Sequence, residues 1–318
     1  MNRFIVLVLL IVVFSCREDK TDKIATLQKT DQPEAVSLLG KALHPRKLSA
    51  TTEADYKKKL EDTRLMYKAN NKEETNIIWY GRRLAYLDRY IDAINVYTNG
   101  LEIHPNSWRI LRHRGHRYIT IRKFDRAIAD LSRAASLAAG TEPEIEPDGI
   151  PNKQNQPLST VQWNIYYHLG LAYYLQGDFE NAKSAYLTCL ELSDNPDILV
   201  ASTDWLYMTY RRLGEINAAE ALLPRISKDM EMIENDSYFN RIMMYKGLLS
   251  PDDLLLYDEA ISDGSLVFAT QGYGVGNWHF YNGDTTRAIE IFNKVLESDY
   301  WPAFGYIAAE AELARMED

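Results

Sequence analysis

Two stretches of the chain align without a gap: GRRLAYLDRYIDAINVY, Gly81–Tyr97, and GHRYITIRKFDRAIADL, Gly115–Leu131. A third, GLAYYLQGDFENAKSAY, Gly170–Tyr186, follows the same pattern. Each places an aromatic residue or leucine three positions after its glycine, an alanine twelve after it and a large apolar residue sixteen after it. Gly81 and Gly115 are 34 residues apart, as are Ala93 and Ala127. Self-similarity at a fixed period of this length marks a stack of like units, none of which buries its apolar face alone. The small residues let paired helices approach closely, and Tyr97 and Tyr186 fill the space between units.

These segments resemble tetratricopeptide repeats, helix-turn-helix units of 34 residues. His104-Pro105 ends the second helix of the first unit, because proline cannot continue it. The resemblance implies an all-α fold, a right-handed α-solenoid of about six repeats. Gly115 and Gly170 are 55 apart, one period plus an insertion of 21 residues. The repeats are therefore expected at 74–107, 108–141, 163–196, 200–233, 235–268 and 269–302, with the insertion at 142–162. The fifth is degenerate and carries Leu254 where alanine is usual. Capping helices are expected at 51–73 and 303–318, since a terminal unit must shield an otherwise exposed apolar face. The array leaves no room for a separate catalytic domain.

The start of the chain reads MNRFIVLVLLIVVFSC. Arg3 is a positive n-region, and the apolar run Phe4–Phe14 is too short to span a bilayer of ~30 Å but suits a secretory signal. Ser15-Cys16 at its edge resembles a lipoprotein cleavage site, with residues 1–15 removed and Cys16 acylated. Several acyl chains, each worth ~0.8 kcal/mol per buried methylene, anchor a protein stably. The charged run Arg17-Glu18-Asp19-Lys20 resembles the signal that sends some lipoproteins to the outer face of the outer membrane. Residues 16–50 are polar and proline-containing and read as a tether, with one short helix at AVSLLGKAL. The other cysteine, Cys189, occupies a small-residue slot and reads as inert core, so no disulfide framework exists. The chain carries 36 basic and 45 acidic residues, a balance that argues against nucleic-acid binding.

In tetratricopeptide repeats the first helix of each unit lines a concave groove, chiefly through its second, fifth, ninth and twelfth positions. Carried over, this implies Arg82 from the first repeat and Arg109, Arg112 and His116 from the second. Asn164, Tyr167 and Tyr174 follow from the third, Asp204, Met208 and Arg211 from the fourth, and Tyr273 and Asn277 from the sixth. His168 and Trp205 lie one position off this line. The stretch RHRGHRY, Arg112–Tyr118, thus concentrates positive charge on a groove-lining helix of an acidic protein. Arginine is a rigid donor fork for carboxylates, so the groove suits a protein or peptide with an anionic segment. The insertion itself carries Glu142, Glu144, Glu146 and Asp148, and internal pairing with Arg109, Arg112 and His116 is the competing expectation.

No cofactor is implied. His113 and His116 stand one turn apart but lack a third metal ligand, and GYGVGNW, Gly272–Trp278, lacks the strand and spacing of a dinucleotide loop. The function expected is a non-enzymatic, lipid-anchored scaffold of the cell envelope that binds a protein or peptide. The alternative is glycan or small-molecule capture for an outer-membrane uptake system, through exposed Trp205, Tyr167 and Tyr273. It rests on resemblance to the starch-utilisation lipoproteins, which also carry such repeats.

Overall fold

The computed structural model describes residues 32–255 and 264–317. The signal, Cys16 and residues 256–263 lie outside the described residues. What is described is an all-α array preceded by one short β-hairpin. Helix α1 spans Ala50–Ala69. Antiparallel helix pairs then follow: α2 (Glu74–Tyr86) with α3 (Tyr90–Ile103), and α4 (Trp108–Thr120) with α5 (Phe124–Ala138). After the insertion come α6 (Val161–Gln176) with α7 (Phe179–Glu191), and α8 (Pro196–Arg212) with α9 (Ile216–Leu222). Then come α10 (Asp236–Tyr245), the single turn α11 (Pro251–Leu254), α12 (Gly264–Tyr281) with α13 (Thr285–Leu296), and α14 (Phe304–Glu317).

The helix starts are built from local chemistry. Ser107, Thr160, Asp178, Asn195 and Asp284 each accept a backbone N–H of the first turn, which satisfies a donor the helix leaves free. Within each pair the small residues do what their spacing predicts. A Cβ at Gly81 would lie 2.4 Å from the Tyr97 ring, and one at Gly170 would lie 2.8 Å from the Tyr186 ring. Ala93, Ala127, Ala182 and Ala288 are fully buried at the partner positions. The close helix approach therefore depends on the absence of side-chain bulk.

The turn between paired helices needs a left-handed residue. Gly177, Gly214 and Gly283 supply it at φ 86°, 74° and 93°. In the first two repeats the same place is taken by Asp88 at φ 55° and Arg122 at φ 61°. Neither residue type adopts this conformation freely, and both side chains are buried. Their partners explain the strain: Asp88 pairs with Arg46 at 2.8 Å, and Arg122 pairs with Glu310 at 2.8 Å.

Those two pairs hold the ends of the array, and the first differs from the expected tether. Residues Ala35–Val36 and Ala42–Leu43 form an antiparallel hairpin, β1 and β2, in place of a short helix. Gly40 closes its turn at φ 80°, and the Ser37 hydroxyl accepts the N–H groups of Leu39 and Lys41. Nine residues are too few for a stable helix on their own, whereas this turn satisfies its backbone locally. Ala35 and Leu43 enter the main core, the Glu34 carboxylate accepts from the Ile91 N–H, and the Trp301 indole donates to the His44 carbonyl. The segment from Glu34 to Arg46 is thus docked on the array.

Two further places depart from expectation. Among the described residues, the second helix of the fifth repeat is represented by α11, four residues long. Gly272 and Gly274, which the sequence places at a loosened helix start, lie inside continuous α12 together with Gly276, the expected packing position. A Cβ at these positions would lie 2.7 Å from Val295, 2.1 Å from Arg241 and 2.6 Å from Phe292. They let α12 pack tightly on two sides, and that burial outweighs a helix penalty of about 1 kcal/mol per glycine. Cys189 is fully buried, and burial pushes its thiol well above the usual range, as suits a packing residue.

Candidate binding face

Helix α4 presents Arg109, Arg112, His113 and His116 toward the insertion and the neighbouring first helices. Arg109 forks onto Glu144, its Nε donating at 2.8 Å, and its guanidinium also reaches Glu74. One turn on, Arg112 Nε stands 3.1 Å from Glu146 Oε2 in an ion pair whose side chains are 9% and 7% exposed. Burial weighs against the Arg112 charge, and Glu146 offsets that cost in part. On α2, Arg82 donates to the Pro147 carbonyl at 2.8 Å and Arg83 to the Gly149 carbonyl at 2.9 Å. A Cβ at residue 149 would overlap the Tyr86 hydroxyl, so only glycine lets the loop come this close. The insertion is fastened at its base, where Ile145 bridges Thr160 and Gln162 holds Glu144 N–H and the Glu142 carbonyl. The acidic loop therefore lies on the basic face, as internal pairing requires.

The remaining members of RHRGHRY divide between faces. Arg114 turns to Asp130 of its own pair, at 2.7 Å, and Arg117 lies over the Tyr90 ring. His116 meets His168 of α6 with ring centroids 4.3 Å apart, and Phe304 of α14 packs on both, at 5.3 and 5.6 Å. His168 Nδ1 contacts the Asn164 carbonyl at 2.6 Å, while the Asn164 amide donates to Ser159 at the end of the insertion. Burial, reinforced by Arg112 and Arg117, holds His113, His116 and His168 well below the usual imidazole range.

Farther along the array, the predicted groove residues are inside the protein. Trp205 is 1% and Tyr167 5% exposed, with the Trp205 indole donating to the Tyr167 hydroxyl at 2.9 Å. Tyr273 and Asn277 both donate to the Tyr174 hydroxyl, and all three are fully buried. Asp204 is the buried partner of Arg241 and Tyr245, Met208 is core, and Arg211 lies over Tyr281. The expectation of exposed Trp205, Tyr167 and Tyr273 rings is thus corrected. The reason is mutual packing: Trp205 lies between Tyr186 and Tyr273, Tyr273 also meets Phe292, and Phe304 of α14 covers Tyr167, where α14 packs against α12, α13 and α6. A Cβ at Gly305 would fall 2.1 Å from the Ala269 carbonyl oxygen, so the helix lies against backbone.

Helix α14 also brings acid to the interior. Glu310 receives two bonds from Arg122 and one from the Leu38 N–H at 2.6 Å. Glu312 pairs with Arg212 and with Arg315, the latter at 2.7 Å. Arg83, Arg122, Arg212, Glu310 and Glu312 were not singled out from the sequence. Two signals point to three of them: for Arg122, an arginine where sister turns carry glycine, and for Glu310 and Glu312, two glutamates inside the apolar run IAAEAEL. Beside Arg83, a cavity of about 350 Å³ opens between α1 and α2, lined by Thr63, Met66, Thr75, Asn76 and Trp79. The Arg82 and Arg83 guanidiniums lie 4.5 and 4.9 Å from the centre of the Trp79 ring. Among the described residues, no helix is long and apolar enough to cross a membrane.

Comparison with known proteins agrees with this architecture. The family model described as tetratricopeptide repeat matches residues 164–196, the pair α6–α7. The same packing is repeated in the pairs around it, and the described chain is an all-α solenoid that carries a tetratricopeptide repeat at this pair. Among solved structures it is similar to PilW, a type IV pilus biogenesis factor, at 16% identity over 78% of this chain and 88% of that one, with a TM-score of 0.47. It is likewise similar to a tetratricopeptide repeat protein from Parabacteroides merdae, at 14% identity over 83% and 94%, with a TM-score of 0.46. A third is YrrB, described as a TPR protein with an unusual peptide-binding site, at 13% identity over 75% and 92%, with a TM-score of 0.42. No curated protein sequence matches.

Proposed function

We propose that this chain is a non-enzymatic scaffold of the cell envelope that binds a protein or peptide carrying an anionic segment, and that lipid on Cys16 holds it to a membrane, on the outer membrane by the charged run that follows. One observation carries the binding reading. Arg82, Arg83, Arg109 and Arg112 all aim guanidinium groups at carboxylates or backbone carbonyls of one peptide segment. That is the chemistry of peptide recognition: charge-assisted forks for acidic side chains and donors for main-chain oxygens. Glycan capture has less support, because a sugar needs an accessible ring to stack on and Trp205, Tyr167 and Tyr273 are enclosed.

The full chain, expressed with its own signal in a bacterial envelope, tests both halves. A partner is first trapped by cross-linking and then measured against purified protein. Exchange of Arg82 and Arg109 for glutamate, both half-buried, is expected to weaken binding at least about tenfold, roughly 1.4 kcal/mol, with melting little changed. A partner that binds the exchanged protein equally well overturns the binding reading. For the anchor, the intact mass should show acyl chains on a Cys16 N-terminus, and an unacylated N-terminus overturns it.

A further inference from the structure

We propose that the insertion is a tethered pseudo-ligand, and that what it displaces is an extended peptide with two carboxylates two residues apart, one residue between them. This rests on the peptide-binding reading above and names the ligand. Segment 144–149 is contacted in order along its length. Glu144 meets Arg109, Glu146 meets Arg112, the Pro147 carbonyl meets Arg82 and the Gly149 carbonyl meets Arg83. Glu144 and Glu146 face the array together while Ile145 between them is 55% exposed, the alternation of an extended chain. Arg109 and Arg112, one helical turn apart, match that two-residue spacing.

The charge balance around the inner position is also one-sided. Arg82, Arg112 and Arg117 gather near His113, His116 and His168, and the loop sets Glu146 against Arg112 and His113 and Asp148 near Arg82. Among the described residues, Arg112 Nε, on a side chain more than nine-tenths buried, has no hydrogen-bond partner despite its ion pair, and neither has Glu146 Oε2. The loop thus neutralises the site without satisfying it. A carboxylate of a free peptide is able to satisfy Arg112 Nε, since the peptide backbone is not fixed at Ile145 and Thr160 as the loop is.

A tethered competitor acts at an effective concentration of about millimolar, so free peptide should bind better once the loop's carboxylates are neutralised. The probe is the chain's own segment as an acetylated, amidated peptide, TEPEIEPDGI, titrated by calorimetry into the full chain carrying Glu144→Gln and Glu146→Gln. The expected result is affinity at least about tenfold above wild type, abolished when both peptide glutamates facing the arginines are glutamine. A folded variant that binds the peptide no better than wild type overturns the proposal. Should the double variant not fold, Glu144→Gln alone, at the more exposed pair, carries the same expectation and the same refutation through Arg109. A failed titration leaves the scaffold reading standing. A successful one, with cellular partners indifferent to the Arg82 and Arg109 exchange, removes that reading and keeps this one.

Discussion

Arg122 and Glu310, 188 residues apart in the chain, form a buried ion pair at 2.8 Å with side chains 2% and 1% exposed. Arg122 reaches it from a left-handed turn, at φ 61°, and also donates to the Trp301 carbonyl. Glu310 in turn accepts from Leu38 of the N-terminal hairpin. One pair therefore joins the second repeat, the last helix and the hairpin. Removing a single partner leaves an uncompensated buried charge, at a cost of roughly 3–5 kcal/mol. Arg122→Ala is expected to lose about that much in urea unfolding. A loss under about 1 kcal/mol would show that the ends of the array are held by other contacts.

Acid should weaken the protein through its histidines. Burial keeps His113, His116 and His168 neutral in the folded state, while in the unfolded chain each titrates near the ordinary imidazole pKa of about 6.5. Above that pH both states are neutral and nothing is lost. Below it the unfolded chain takes up protons that the folded chain does not, so stability falls as pH falls. Each histidine adds a slope approaching about 1.4 kcal/mol per pH unit. Unfolding free energies between pH 7.5 and 5 should show this decline, reduced in His116→Asn and His168→Asn. A flat profile would mean that the imidazoles are accessible to protons in the native state.

The small slots supply a packing test. Ala127→Leu and Ala182→Leu add bulk at fully buried positions, and overpacking costs typically 1–3 kcal/mol. Glu142→Leu on the exposed insertion should change melting little. Equal melting of all three variants would contradict the close helix pairing.

The helix pairs were legible because their cause is local and repeated: glycine and alanine at one period recur at Gly81, Gly115 and Gly170. The line of Arg82, Arg109 and Arg112 was legible for the same reason, since helical spacing sets which side chains share a face. What covers that face was not. Glu144 lies 35 residues from Arg109 in sequence, and nothing in a helical period states whether a loop folds back. Helix α14 hides more. It read as a terminal cap, yet Phe304, Glu310 and Glu312 insert among residues of distant repeats, on Tyr167, Arg122 and Arg212. The hairpin at Ala35–Leu43 escaped because strands two residues long carry no period.

The lie of the insertion on α4 is tested most directly by a double-mutant cycle on Arg112 and Glu146, with unfolding free energies of wild type, Arg112→Ala, Glu146→Ala and the double variant. A pair in contact predicts that each single change costs more than the two together imply, with a coupling of about 0.5–3 kcal/mol, and that Glu146→Ala restores part of what Arg112→Ala loses. Strictly additive effects, with no recovery in the double variant, would contradict an insertion seated on the arginines of that helix.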